Sequence, residues 1–150
     1  MAKTDAEYME ASLIAVADAG IELRFALFER FFAAWPERRA SFLNVDAASR
    51  RMTDETLEMM IGLAKGEENW VWPLVAELVA NHRGYGELLG QEYESWIALT
   101  IEVVRDASGA AWNAETEVAW ARQGERLKEM LEEARVGWDR AMPEHVLGVG

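Results

Sequence analysis

Apolar residues recur along this chain every three or four positions, and no stretch alternates polar and apolar residues as a half-buried strand would. The pattern predicts an all-α chain. Thr4 and Glu7 stand at capping-box spacing ahead of apolar Leu13, Ile14, Val16 and Ala17, with Gly20 as the stop. A second helix is expected over residues 21–35, where Phe25, Phe28 and Phe32 make an aromatic stripe. Pro36 suits the first position of a short new helix ending near Phe42, because a proline there gives up only an N–H that would have lacked a partner. Residues 43–50 are small and polar and read as an irregular connection into a helix over residues 50–65, with Leu57, Met60, Ile61 and Ala64 on one face. Residues 66–69 break the period. Pro73 is then expected to open a helix that sets Val75, Leu78, Val79 and His82 on one side and stops at Arg83 and Gly84. A long helix over residues 87–105 follows, and Asn113 is the expected cap of a last helix reaching residue 139. Six or seven helices thus share one core over residues 1–139, leaving 140–150 as a C-terminal tail.

Composition changes this picture little and excludes several functions. A chain of 150 residues buries roughly two-thirds of its unfolded surface and needs no staple. The absence of cysteine removes disulfides, thiolate metal sites, iron–sulfur clusters and cysteine nucleophiles together. A net charge of -12 repels nucleic-acid backbones, so DNA and RNA are not expected partners. No apolar run approaches the roughly 20 residues a membrane span requires, and the first residues lack the basic and then apolar pattern of an export signal. No membrane partner and a cytoplasmic location are the expectations.

Little in the chain can do chemistry unaided. Its histidines are His82 and His145, too few for a histidine-rich metal site. A di-iron bundle needs a glutamate three residues before each of two helical histidines, and Val79 and Met142 occupy those positions. There is no phosphate loop, dinucleotide fingerprint or nucleophile elbow. His145 falls in the tail. His82, on an apolar helix face, is either a hydrogen-bonded core residue or a ligand.

A family resemblance bears on that choice. FERFFAAWPERRASF, residues 28–42, resembles the second and third helices of bacterial single-domain globins, where an aromatic helix runs into a proline and ends on a phenylalanine. PLVAELVANHRGYG, residues 73–86, resembles the globin proximal helix, and GQEYESW with the Trp120 region resembles the last two globin helices. The resemblance spans about residues 10–135. It implies a globin-like fold around haem b, with His82 as the axial ligand of the iron and Phe42 as the phenylalanine packed on the haem. It sets Phe28 where many members carry a ligand-binding tyrosine, Thr53 where most carry histidine or glutamine, and Leu57 one turn beyond. Leu78, Leu88, Tyr93 and Trp96 match positions that pack against the haem, and Tyr93 matches a tyrosine that supports the proximal histidine. Arg50, Arg51 and Arg83 are candidates to pair with the propionates.

The implied distal side, Phe28, Met52, Thr53, Leu57 and Met60, holds one hydroxyl and no imidazole, which predicts weak oxygen binding relative to nitric oxide or carbon monoxide. Met52 is a candidate second axial ligand. The implied function is binding of a diatomic gas for transport, sensing or haem-based chemistry such as nitric oxide dioxygenation or peroxidation. No dedicated catalytic residues are evident. Electrons for such chemistry would come from a separate reductase partner, and a homodimer is left open. The alternatives are a haem-free globin-fold module for sensing or protein interaction, and an unrelated helical bundle.

Overall fold

The computed structural model describes residues 3–83 and 90–141, and every described element is helical. Helix α1 spans Asp5–Asp18, α2 Leu23–Ala34, α3 Val45–Ala64, α4 Glu68–His82, α5 Gly90–Ser108 and α6 Ala114–Ala141. Short 3-10 helices cover Pro36–Ser41 and Gly109–Ala111. Helix α6 packs against α1, α3, α4 and α5, while α5 packs against α1, α2 and α3 as well. The core is therefore gathered around these last two helices. Leu88, the expected start of α5 at residue 87, and the tail from 142 on, with His145, lie outside the described residues.

The expected caps form. Thr4 Oγ1 accepts from the Glu7 N–H, and Glu7 Oε1 accepts from the Thr4 N–H in return. Asn113 Oδ1 accepts from the Thr116 N–H at 2.8 Å, closing the start of α6. Pro36 stands at the first turn of its 3-10 helix. Gly20 takes a φ of 70°, which a side chain would resist, and lets α1 stop before α2.

Two helices begin earlier than their sequences suggest. Asn44 caps α3 by accepting from the Ala47 N–H at 3.0 Å, so residues 45–50 are helix rather than connection. Two alanines and an asparagine cap favour that outcome. Helix α4 opens at Glu68, leaving Pro73 inside it. The proline withholds an N–H from the carbonyl of Asn69, an exposed residue whose carbonyl water can satisfy.

Buried polar ties fix how the helices are rotated. Arg24, on α2, places Nη1 2.7 Å from Asp46 Oδ1 and 3.0 Å from Ser49 Oγ, turning that face of α2 toward the start of α3. The buried stripe of α2 becomes Leu27, Phe28 and Phe31, and Phe25 is left 59% exposed beneath the Arg24 guanidinium instead of joining the expected aromatic stripe. On α1, Met9, Ser12 and Val16 face the core while Ile14 is exposed. Ser12 Oγ accepts from Trp120 Nε1 at 3.0 Å and donates to the Met9 carbonyl.

Helices α3 and α4 approach each other tightly beside their Lys65–Glu67 link. A Cβ on Gly62 would meet the Trp70 ring and lie 2.9 Å from Val71 Cγ2. Gly62→Ala should therefore lose about 1–2 kcal/mol, as overpacking of ~1–3 kcal/mol outweighs the better helix propensity of alanine. Gly137→Ala, where nothing lies within 4 Å, should gain up to about 1 kcal/mol. Denaturant midpoints of the two variants check the contrast, and equal shifts would contradict the packing.

Candidate functional site

Further along α3 and α4 from that close approach, the two helices supply the sides of a cavity of about 1050 Å³. Ala48, Arg51, Met52, Glu55, Thr56 and Met59 line it from α3 at the three-and-four spacing of a single helical face. Leu74, Glu77, Leu78, Asn81 and His82 do the same from α4. The neighbouring stripe of α4, Val71, Val75 and Val79, is fully buried in the core. The apolar face expected of this helix is thus two adjacent faces, one for the core and one for the cavity.

Helix α5 closes the cavity with Glu92, Tyr93, Trp96 and Ile97, and α6 adds Leu127 and Leu131. Phe31, Arg38 and Phe42 line it from α2 and the turn that follows. Each polar side chain that α5 contributes reaches a different element. Tyr93 Oη lies 3.0 Å from His82 Nδ1. Trp96 Nε1 donates to Thr56 Oγ1 at 2.8 Å, and that hydroxyl donates to the Met52 carbonyl at 2.7 Å. Glu92, only 3% exposed, takes both arms of the Arg38 guanidinium: Nε on one carboxylate oxygen and Nη2 on the other at 2.9 Å. Forked pairs of this kind are among the stronger side-chain interactions. The Glu92 hydrogen bond holds Arg38 protonated even more firmly than usual.

Burial, and then the positive charge of Arg51, push the His82 imidazole below its ordinary range and so favour its neutral form. Burial, and then the Glu92 carboxylate, push the Tyr93 hydroxyl up to about 12, keeping it protonated. When Nδ1–H of His82 donates to the tyrosine oxygen, Nε2 keeps its lone pair, which is the tautomer a metal ligand requires. Among the described residues no three histidine, aspartate or glutamate side chains stand together to cage a metal. A metal at His82 would have to bring most of its own ligands.

Of the residues marked by sequence, Phe42, Leu78, His82, Tyr93 and Trp96 line this one cavity, as does Met52. Phe28 backs the wall instead, its ring edge-on to Phe42 at 5.6 Å and to Trp96 at 5.2 Å. Thr53, Leu57 and Met60 are off the lining: Thr53 is buried with its hydroxyl unpartnered, Leu57 packs against the core and Met60 is within it. The cavity face of α3 is instead Met52, Glu55, Thr56 and Met59, one residue removed, because the Arg24 ties and the Asn44 cap set the rotation of the helix. Arg51 lines the cavity, whereas Arg50 lies 3.9 Å from Asp46 and Arg83 donates to the Arg135 carbonyl. Arg38, Glu92 and Thr56 escape a reading of the sequence. Glu92 shares a helical face with Tyr93 and Trp96, a visible signal, but its partner lies 54 residues away.

Comparison with protein-family models and with curated proteins finds no match, so the site is read from its own chemistry.

The depressed His82 has a consequence for stability. Below 6.5 the unfolded chain takes up a proton that the folded protein resists, so the contribution of this residue is complete above 6.5 and is lost as the pH falls toward its folded value. Asp46 and Asp106, held down by Arg24 and Arg30, act in a lower window, beneath 3.8. The denaturant midpoint of the protein without added cofactor should fall as pH drops just below 6.5, and His82→Gln, which does not titrate, should flatten that part of the curve. Identical slopes in the two proteins would contradict burial of a neutral imidazole.

Proposed function

We propose that this chain is a globin-like haem protein that binds a diatomic gas, with His82 as the axial ligand. The observation that carries the reading is a half-buried histidine hydrogen-bonded at Nδ1 to Tyr93 in the wall of a cavity of about 1050 Å³. That volume lies just above the ~300–1,000 Å³ typical of cofactor pockets, room enough for a large planar group. The order of helices adds support. An aromatic helix runs into Pro36 and Phe42, a long helix follows, and the helix after it ends on His82.

The residues present fit the group. His82 Nε2 would hold the iron, and Phe42, Leu78 and Trp96 would pack against the ring. Arg51, an exposed member of the lining, would offer charge-assisted hydrogen bonds to propionates. When bound, the haem supplies an open coordination position for O2, NO or CO. The chain supplies its surroundings. Tyr93 orients the imidazole through Nδ1, a contact that typically tunes and strengthens a histidine ligand. Met52, Thr56 and Met59 shape the side lined by α3, and the amides in the lining, Asn44 and Asn81, are exposed. Such an interior favours gases that need no hydrogen bond, so the expectation is weak O2 binding beside CO or NO.

Titration of the full chain with hemin tests the reading. The expected result is a Soret band saturating at one hemin per chain, with a ferrous form that shifts under CO. His82→Ala should weaken uptake by more than about 100-fold, since loss of an outer partner alone costs about 10–100-fold. No stoichiometric uptake by the wild type would overturn the haem reading and leave the haem-free module in its place.

A further inference from the structure

The cavity wall contains several polar side chains, and those of α5 are each hydrogen-bonded to another part of the wall. Arg38 turns Nε and Nη2 onto Glu92, and the Tyr93 oxygen accepts from His82 Nδ1. The hydroxyl hydrogen of Thr56 goes to the Met52 carbonyl, and the indole N–H of Trp96 goes to Thr56. The last of these is the informative one. Trp96 and Thr56 both line the cavity and are both buried, and their hydrogen bond at 2.8 Å joins α5 to α3 inside the wall. The Trp96 ring stands edge-on to Phe28 at 5.2 Å and to Phe31 at 5.4 Å.

We propose that Thr56 is the residue that sets gas selectivity, by tying the Trp96 indole N–H into the wall and so withholding a neutral donor from the cavity. The proposal rests on the haem reading above and extends it. A threonine oxygen in this place has two effects. It satisfies a buried indole that would otherwise seek a partner in the cavity, and its own hydrogen is committed to the backbone of its own helix. The stretch of wall formed by Thr56 and Trp96 then presents no donor to a ligand although both side chains are polar. A gas whose bound form carries partial negative charge gains from a donor, whereas CO gains little. With Thr56 replaced by a residue of the same shape and no acceptor, the orphaned N–H has the cavity as its nearest outlet.

The test uses the full chain loaded with hemin, as wild type, Thr56→Val and Thr56→Ser, and reads two quantities: the infrared C–O stretch of the ferrous CO form and the ratio of O2 to CO affinity. Thr56→Val should lower the stretch and raise the ratio about tenfold, the worth of one hydrogen bond. Thr56→Ser keeps the acceptor and should restore wild-type values. Adding Trp96→Phe to Thr56→Val should abolish the gain. A Thr56→Val protein that binds CO with an unshifted stretch and an unchanged ratio would overturn the proposal. NMR of the wild type gives an answer even if that variant fails to fold. The Trp96 indole proton should exchange slowly with water, with and without hemin, and should not move between the CO and O2 forms. Fast exchange, or a resonance that follows the gas, would show that the donor is free and overturn the proposal. Failure of the wild type to take up hemin would remove the haem reading and the selectivity claim built on it, while wild-type hemin uptake with an unresponsive Thr56→Val would refute the Thr56 role alone.

Discussion

Three residues on one face of α5 hold the cavity together. Glu92 grips the turn after α2 through Arg38, Tyr93 grips the end of α4 through His82, and Trp96 grips α3 through Thr56. Each tie is buried or half-buried, so each is strengthened by its surroundings and would be costly to leave half made. A void lined only by apolar side chains would tend to close, because its lining atoms lack van der Waals partners on the open side and recover them by collapse. Polar ties of fixed length at three points resist that collapse. They make α5 the frame on which the other walls are hung.

The same logic governs the rest of the molecule. Ser12 with Trp120 locks α1 to α6, and Arg24 with Asp46 and Ser49 locks α2 to the first turn of α3. Apolar stripes bring helices together but leave their rotation loosely determined, since neighbouring stripes on a helix are nearly equivalent. Specific hydrogen bonds remove that freedom. On α4 the result is a division of labour between Val71, Val75 and Val79, which face the core, and Leu74, Leu78 and His82, which face the cavity. That division sets the imidazole on the cavity side of its helix.

Local signals in the chain are a good guide to local structure. Thr4 with Glu7, Pro36 and Asn113 each act within one turn of themselves, and each marks a helix start at its expected place. The all-helical architecture and the placement of His82, Tyr93, Trp96, Phe42 and Leu78 around one space are likewise legible. The starts of α3 and α4 are not. Asn44 is an ordinary cap ahead of a polar stretch, and Pro73 has the look of a first-turn residue although an exposed neighbouring carbonyl lets the helix run through it. The largest difference, the cavity face of α3, depends on Arg24 reaching residues 22 and 25 positions away. Nothing in the spacing of Met52, Thr53 and Thr56 reveals which of them that contact turns inward. The Arg38–Glu92 pair is hidden for the same reason.

The proposed haem would sit between α3 and α4 against His82, in the space framed by α5. Hydrogen–deuterium exchange of the full chain with and without one equivalent of hemin tests that most directly. The expected result is slower exchange in the cavity-facing turns of α3, in the last turns of α4 and around Tyr93, with α1 unchanged. Slowing confined to α1 and the outer part of α6, or none despite stoichiometric binding, would place the group elsewhere and contradict it.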